Sequence, residues 1–260
     1  AVSVGVGAIV IDSEIEIERI AAAATAQDKV QKVRLRVNIG VHANTHDFLA
    51  TAREDQKFGV SIADAVSLVA KIRSHSHLEF IGLHSHIGSQ IHAREGFVES
   101  VKRLIKLHAE LSKDGEIPEL NLGGGFGINY KPADDAPDIH DFAEALAVAV
   151  KVECHKHGVE VPVLAFEPGR VIAGNPGVTL YTVGTIKDVQ VSDADAVRKY
   201  VSVDGGMSDN PRTALYEAEY HTVLASRSTN ADPALARVVG KHCESGDIVV
   251  NQDYLPSDIA

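Results

Sequence analysis

No run of about 18 apolar residues occurs in the 260-residue sequence, so no segment is expected to cross a bilayer as a helix. No secretory signal opens the chain. Basic residues are the minority, 25 Lys and Arg against 36 Asp and Glu, and the net charge is −11. Nucleic acid and anionic membrane surfaces are therefore poor partners. Two cysteines, Cys154 and Cys243, cannot build a disulfide framework, which fits a reducing cytoplasm. Internal repeats are absent. Ala1, not a methionine, stands first.

What is present is an apolar fraction of 45%, enough for a sizeable core, and an alternation of short apolar runs with amphipathic stretches. Strands are expected over Gly7 to Asp12, Val33 to Asn38, Phe80 to His86, Leu120 to Leu122 and Val163 to Phe166. Between them come helices. The first, capped by Ser13 and Glu16, runs through Ala24. Others run from Asp64 to Ser74, from Glu95 to Lys113, and from Ile139 to His157 with Gly158 as the stop. The Glu153-to-His157 cluster reads as an exposed helix end without a role. Strand–helix alternation implies parallel pairing through right-handed crossovers. The expected fold class is α/β, a partial (β/α)₈ TIM-type barrel with about five strands present, and the rest is expected upstream. After Ala173 the pattern changes to strands over Thr179 to Val191, Tyr200 to Asp204, Thr222 to Ser226 and Ile248 to Val250, with turns and no long helix. Residues 1–173 are therefore expected to form the barrel domain and 174–260 a smaller, β-rich, incomplete domain.

Working residues of such barrels follow the carboxyl ends of the strands. Those positions hold His84-Ser85-His86-Ile87-Gly88-Ser89-Gln90, then Gly123-Gly124-Gly125-Phe126-Gly127, then Glu167-Pro168-Gly169-Arg170. Three glycines let backbone N–H groups crowd around an anion without Cβ interference; the plainer reading is a flexible turn. His84 and His86 are two apart on an expected strand and would point the same way, which suits a metal pair or leaves one as a core histidine. Glu167, after an apolar strand, needs a cationic partner: Arg170, or a protonated ring nitrogen. Farther on, Arg212 and Tyr216 place a cation and a phenol four residues apart, and arginine is the residue type for bidentate carboxylate capture. Cys243 beside Glu244 reads as a proton donor or as an ordinary small buried residue.

HSHIGSQ, NLGGGFGI, EPGR, GGMSDNPRTALY and CESGD, in this order, resemble the diaminopimelate decarboxylases, fold-type III enzymes dependent on pyridoxal 5'-phosphate (PLP) with an alanine-racemase-like barrel and a β-rich second domain. The resemblance covers roughly Val6 to Ala260. EPGR and the glycine loop are shared with ornithine and arginine decarboxylases; the other motifs are narrower. The resemblance implies that His86 stacks on the PLP ring and that Ser89 and Gly123, Gly124 and Gly125 hold its phosphate. Glu167 would pair with the pyridine nitrogen. Pro168, Gly169 and Arg170 would line the cofactor, with Arg170 also at the substrate carboxylate. Arg212, Tyr216 and Glu244 would bind the substrate's distal end, and Cys243 would donate a proton. Cys243 and Glu244 would come from a partner subunit, so a homodimer is implied. The reaction implied is loss of CO₂ from meso-2,6-diaminopimelate to give L-lysine, an amino-acid biosynthetic step.

The family's PLP-anchoring lysine, in a Tyr-Ala-x-Lys-Ala-type segment, does not occur here, and Lys57 belongs to a different segment. A family tyrosine downstream of CESGD is also missing. The chain is expected to be truncated at both ends and inactive alone. Val41 to His46 follows the family pattern loosely, with no role assigned. Two other readings stand beside this one. One is a PLP decarboxylase of arginine, ornithine or D-lysine. The other is a metal-dependent hydrolase built on His84 and His86.

Overall fold

The structure is a computed structural model, and it describes residues 1–41, 57–191 and 196–260. It divides into two compact units: residues 1–128 with 136–174, and residues 129–135 with 175–260.

The first unit is built on a parallel sheet. Its strands are β1 (Ile9–Ile11), β2 (Gln31–Asn38), β4 (Leu78–His84), β5 (Glu119–Asn121) and β6 (Val163–Ala165), hydrogen-bonded in the order β1-β2-β4-β5-β6. A two-residue strand, β3 (Val60–Ser61), extends the ladder beside the last residues of β2, Val37 and Asn38. It is too short for a periodicity signal, and the sequence did not announce it. The crossovers are α1 (Glu14–Thr25), α2 (Ile62–Ser74), α3 (Arg94–Leu111) and α4 (Ile139–His157), followed by the short α5 (Gly169–Ala173). Helices α1, α2 and α4 begin where side chains supply acceptors for backbone N–H groups. Glu16 reaches back to the Asp12 and Ser13 N–H groups, Ser61 caps α2 through Asp64 N–H, and Asp138 caps α4 through His140 N–H. Gly158 ends α4 in the left-handed region at φ 67°.

Strand β2 shows why the sheet has two unlike faces. Val33, Leu35 and Val37 are buried against the helices, whereas Arg34 and Arg36 stand half-buried on the opposite face. On that face Arg34 ion-pairs with Glu119 of β5, passing over Gly82, which lies between them in register. The helical face carries the core. Helix α3 inserts Phe97, Val101, Leu104, Ile105 and Leu111, each at most 2% exposed. Burial of side chains of this size contributes about 1.5–3 kcal/mol each. Phe97 stacks on Phe126 at 4.9 Å between ring centres, and both meet Phe142 of α4 edge-on at 5.5 Å. Phe126 directly follows Gly125, so this aromatic cluster anchors the glycine loop to α3 and α4.

The end of α4 differs from the sequence expectation. Glu153 and Cys154 are buried, and Glu153 holds Lys156 at 2.9 Å. His108, at helical spacing among the apolar residues of α3, is 3% exposed, and its Nδ1 has no hydrogen-bond partner. Burial lowers its pKa. The unfolded chain therefore takes up the proton first as pH falls below the ordinary histidine value of about 6.5. The stabilisation is complete above that pH and is lost on acidification toward the folded-state value, with a limiting slope of about 1.4 kcal/mol per pH unit for one proton. The His108→Leu variant should show a shallower decline of denaturation midpoint on the acid side. An unchanged slope would refute this account.

The second unit holds a four-stranded sheet, β10-β9-β8-β7, from β7 (Val183–Gln190), β8 (Val197–Val203), β9 (Pro233–Val239) and β10 (Ile248–Pro256). The β8–β9 pair is parallel and the others antiparallel. Val201, Val203, Ala236, Val238, Val249, Val250, Leu255 and Ile259 form its core. The expected strand over Thr222 to Ser226 is absent. Asp253 captures both the N–H and the hydroxyl of Thr222, at 2.6 and 3.0 Å, so this segment is tied by a side chain and not by a ladder. The strand formed instead is β9, which starts on Pro233, where a missing N–H is tolerated. Residues 129–135 sit with this unit because Tyr130 meets Tyr220 edge-on at 5.2 Å and Lys131 ion-pairs with Glu219. A five-residue helix, α6 (Arg212–Tyr216), is fastened to β10 by the Thr213 hydroxyl donating to Val249 O at 2.9 Å. No helix among the described residues is long and apolar enough to cross a membrane.

Candidate active site

Strand register assembles the site. Arg36 of β2 pairs with His84 of β4, and His84 with Asn121 of β5; Asn121 pairs in turn with Ala165 of β6, two residues before Glu167. Register partners in a parallel sheet share a face. A polar row thus crosses the carboxyl edge of the sheet, and Asp12, just past β1, extends it through Arg36 at 3.4 Å. Arg36 also lies over the Phe58 ring, 4.5 Å from its centre.

Glu167 is the centre of this row. Its Oε1 accepts from His84 Nε2 at 3.1 Å and from Asn121 Nδ2 at 3.0 Å. Oε2 has no hydrogen-bond partner among the described residues. One oxygen is therefore clamped twice while the other stays available. The side chain is about half exposed, at 46%, so the buried carboxylate expected from the sequence is instead fixed at an open mouth. Burial raises the Glu167 carboxyl, but His84, Asn121 and His86 outweigh it, and the group stands below its ordinary pKa. Burial lowers His84, with Arg36 and His86 adding to the effect against the pull of Glu167. His84 is therefore neutral at pH 7, and its Nε2–H reaches Glu167 as a hydrogen-bond donor and not as a charge. Its Nδ1 is buried without a partner.

The glycine loop is pressed between its neighbours. A Cβ at Gly123 would overlap Ser85 O, one at Gly124 would overlap Glu167 O, and one at Gly125 would overlap Gly88 O. Gly123 and Gly125 have φ of 70° and 99°, conformations costly to other residues. The triple glycine is thus required because three loops converge, a stronger reason than flexibility. Asn121 Oδ1 accepts the Gly123 N–H at 2.8 Å, and His86 Nδ1 accepts that of Gly124 at 3.3 Å. The Gly125 N–H has no protein acceptor among the described residues. Arg170 donates to Ser89 Oγ at 3.0 Å, joining the third loop to the first.

His84 and His86 part company. Strand β4 ends at His84, so His86 lies beyond the alternation; His84 is buried and His86 exposed. One ring is spent on Glu167 and the other on Gly124, and the described residues contain no group of three or more His, Cys, Asp or Glu that could hold a metal ion. The metal-hydrolase reading loses its ligand pair. Burial and Arg36 lower the His86 pKa against Glu167, which favours its neutral ring.

In the second unit, the Arg212 guanidinium lies 5.4 Å from the centre of the Tyr216 ring, one helical turn on. Cys243 is exposed, which removes the buried-residue alternative for it. Glu244 is exposed beside it. His42 to His46 lie outside the described residues. Asn121 and Arg36 were not singled out by sequence reasoning, and Asp247 entered it only as the last residue of CESGD, with no role. For the first two the usable signal was strand register with His84, which only pairing supplies.

The arrangement defines a class: an α/β protein whose parallel barrel-type sheet presents, at its carboxyl edge, a glycine-walled site with anion donors at one end and a poised carboxylate at the other. The chain belongs to the pyridoxal-dependent decarboxylase family, whose "pyridoxal binding domain" model matches residues 1–174. It is similar to diaminopimelate decarboxylase of Mycobacterium bovis, at 51% identity over 100% of this chain and 60% of that protein. It is also similar to that of Staphylococcus aureus, at 45% identity over 98% of this chain and 58% of that protein. Among solved structures, diaminopimelate decarboxylase from M. jannaschii in complex with L-lysine matches with a TM-score of 0.85 at 29% identity, covering 98% of this chain and 57% of that one. The chain thus spans about 60% of the length of the curated relatives it matches. The family cofactor is PLP, and the residues present fit it. The Gly125 N–H and the Ser89 and Arg170 donors suit a phosphate, and Glu167 Oε2 suits a protonated ring nitrogen.

Proposed function

We propose that this chain carries the cofactor-binding and substrate-binding parts of an enzyme that removes CO₂ from meso-2,6-diaminopimelate to yield L-lysine, the last chemistry of a lysine biosynthetic route in the cytoplasm. The observation that carries the proposal is Glu167: one oxygen held by two donors, the other unpartnered, at the edge of a glycine loop. Residues 1–173 serve as the PLP-binding domain and 174–260 as the β-rich domain bearing distal substrate contacts. Bound PLP supplies an electron sink for the charge left on carbon when CO₂ departs.

Each residue then has a task that its surroundings support. Ser89 and the Gly125 N–H hold the phosphate against the wall that Gly123 and Gly124 form without side chains, Pro168 and Gly169 shape the turn beside it, and Arg170 braces Ser89 and faces the substrate's reacting carboxylate. His86, neutral and fixed by Gly124, packs against the ring. Glu167 keeps the proton on the ring nitrogen. Arg212 and Tyr216 take the distal carboxylate, and Glu244 the distal ammonium, a pairing of opposite charges that a diamine cannot satisfy. Cys243 returns a proton to carbon. Cys243 and Glu244 act at the mouth of a second copy, so the working unit is a homodimer with shared sites.

The anchoring lysine segment of the family is not within these residues. The test is the intact protein: incubated with meso-diaminopimelate and PLP, it should release CO₂ and L-lysine in equal amounts. Turnover of ornithine or arginine in preference to diaminopimelate would overturn the substrate assignment.

A further inference from the structure

Asp247, in the second unit, is 3% exposed, yet it belongs to none of the tasks above. Its two oxygens serve different loops. Oδ1 accepts the Met207 N–H at 2.5 Å, and Oδ2 accepts the His242 N–H at 2.6 Å. Met207 lies on the loop that leads from β8 into Arg212; His242 immediately precedes Cys243 and Glu244. We propose that Asp247 is a positioning residue that locks the Cys243–Glu244 loop to the loop entering Arg212, so that the residues this chain lends to a second copy's site are held in place against the distal-end ligand of its own. The inference rests on the roles given to Cys243, Glu244 and Arg212 under the proposed function.

The surroundings are built for this carboxylate. A Cβ at Gly206 or at Gly240 would run into it, so glycine on each loop lets both backbones close around one side chain. The two loops are joined again by Lys241 N–H to Gly205 O at 3.0 Å and by the contact of the Ser208 hydroxyl with His242 Nε2 at 2.8 Å. Within its own loop, Asp247 N–H donates to Glu244 O at 3.0 Å and Asp247 O accepts from Gly240 N–H at 2.8 Å. The backbone around Cys243 and Glu244 is thereby closed into a ring of bonds with Asp247 at its root. A carboxylate is an acceptor at both oxygens; an asparagine offers one acceptor and one donor. At a site facing two N–H groups, asparagine keeps the shape and must break one strut.

Two measurements test this. In the unaltered protein, hydrogen exchange should show the Met207 and His242 amides protected and opening in the same event, with the same denaturant dependence. Unrelated protection of the two amides would overturn the lock without any variant. In the holoenzyme, Asp247→Asn should lower kcat for diaminopimelate by about 10²-fold and raise KM together with it, at a temperature where the variant is still folded. A residue that only stabilised the fold would lower the melting temperature and leave kcat and KM per folded molecule in place, and that result would sink the proposal. Cys243→Ser separates the two levels. If it turns over like the parent, the role given to that loop fails. If it is impaired while Asp247→Asn is not, the lock alone fails.

Discussion

The Glu167→Gln holoenzyme should decarboxylate diaminopimelate about 10²–10³-fold more slowly while still binding PLP. The glutamine carbonyl can stand where Oε1 stands and accept from His84 and Asn121 as before. The amide NH₂ then replaces Oε2, the oxygen without a partner. A neutral donor would face the ring nitrogen where a carboxylate had faced it, and the proton on that nitrogen would lose its counter-charge. The glycine loop, Ser89 and Arg170 are untouched, so cofactor occupancy measured by absorbance should stay near that of the parent. A rate within about threefold of the parent at full occupancy would show that the free oxygen has no part in the chemistry.

Arg212→Met should divide the substrates. Methionine keeps much of the aliphatic stem and removes the cation. Loss of one partner from a desolvated charge pair costs about 2–5 kcal/mol. The specificity constant for diaminopimelate, whose distal carboxylate would be left unpaired, should therefore fall by about 10²–10³-fold. Turnover of a substrate without that carboxylate, such as D-lysine or ornithine, should change little. Equal losses on both would place Arg212 in the scaffold and return the choice of substrate to the other basic amino acids.

Much of the fold was legible because period and punctuation agreed. Ser13 with Glu16, and Gly158, bound helices whose apolar faces are spelled out in the chain. Failures came where a side chain took over a backbone bond. Thr222 to Ser226 has a strand's composition, but Asp253 holds Thr222, and nothing local tells of a carboxylate that far along the chain. His84 and His86 looked like a pair because two-residue spacing implies one face. The strand ended between them, and their environments became opposite.

The motif order, the β/α alternation and the glycine triplet are properties of the chain alone, since each depends on neighbours within a few residues. Which oxygen of Glu167 is left for a ligand, and why Asp247 matters, depend on strand register and loop contact, which bring distant residues to within about 3 Å of one another. Hydrogen bonds of that length are decided by packing, because shifting a strand by one residue turns each side chain to the other face.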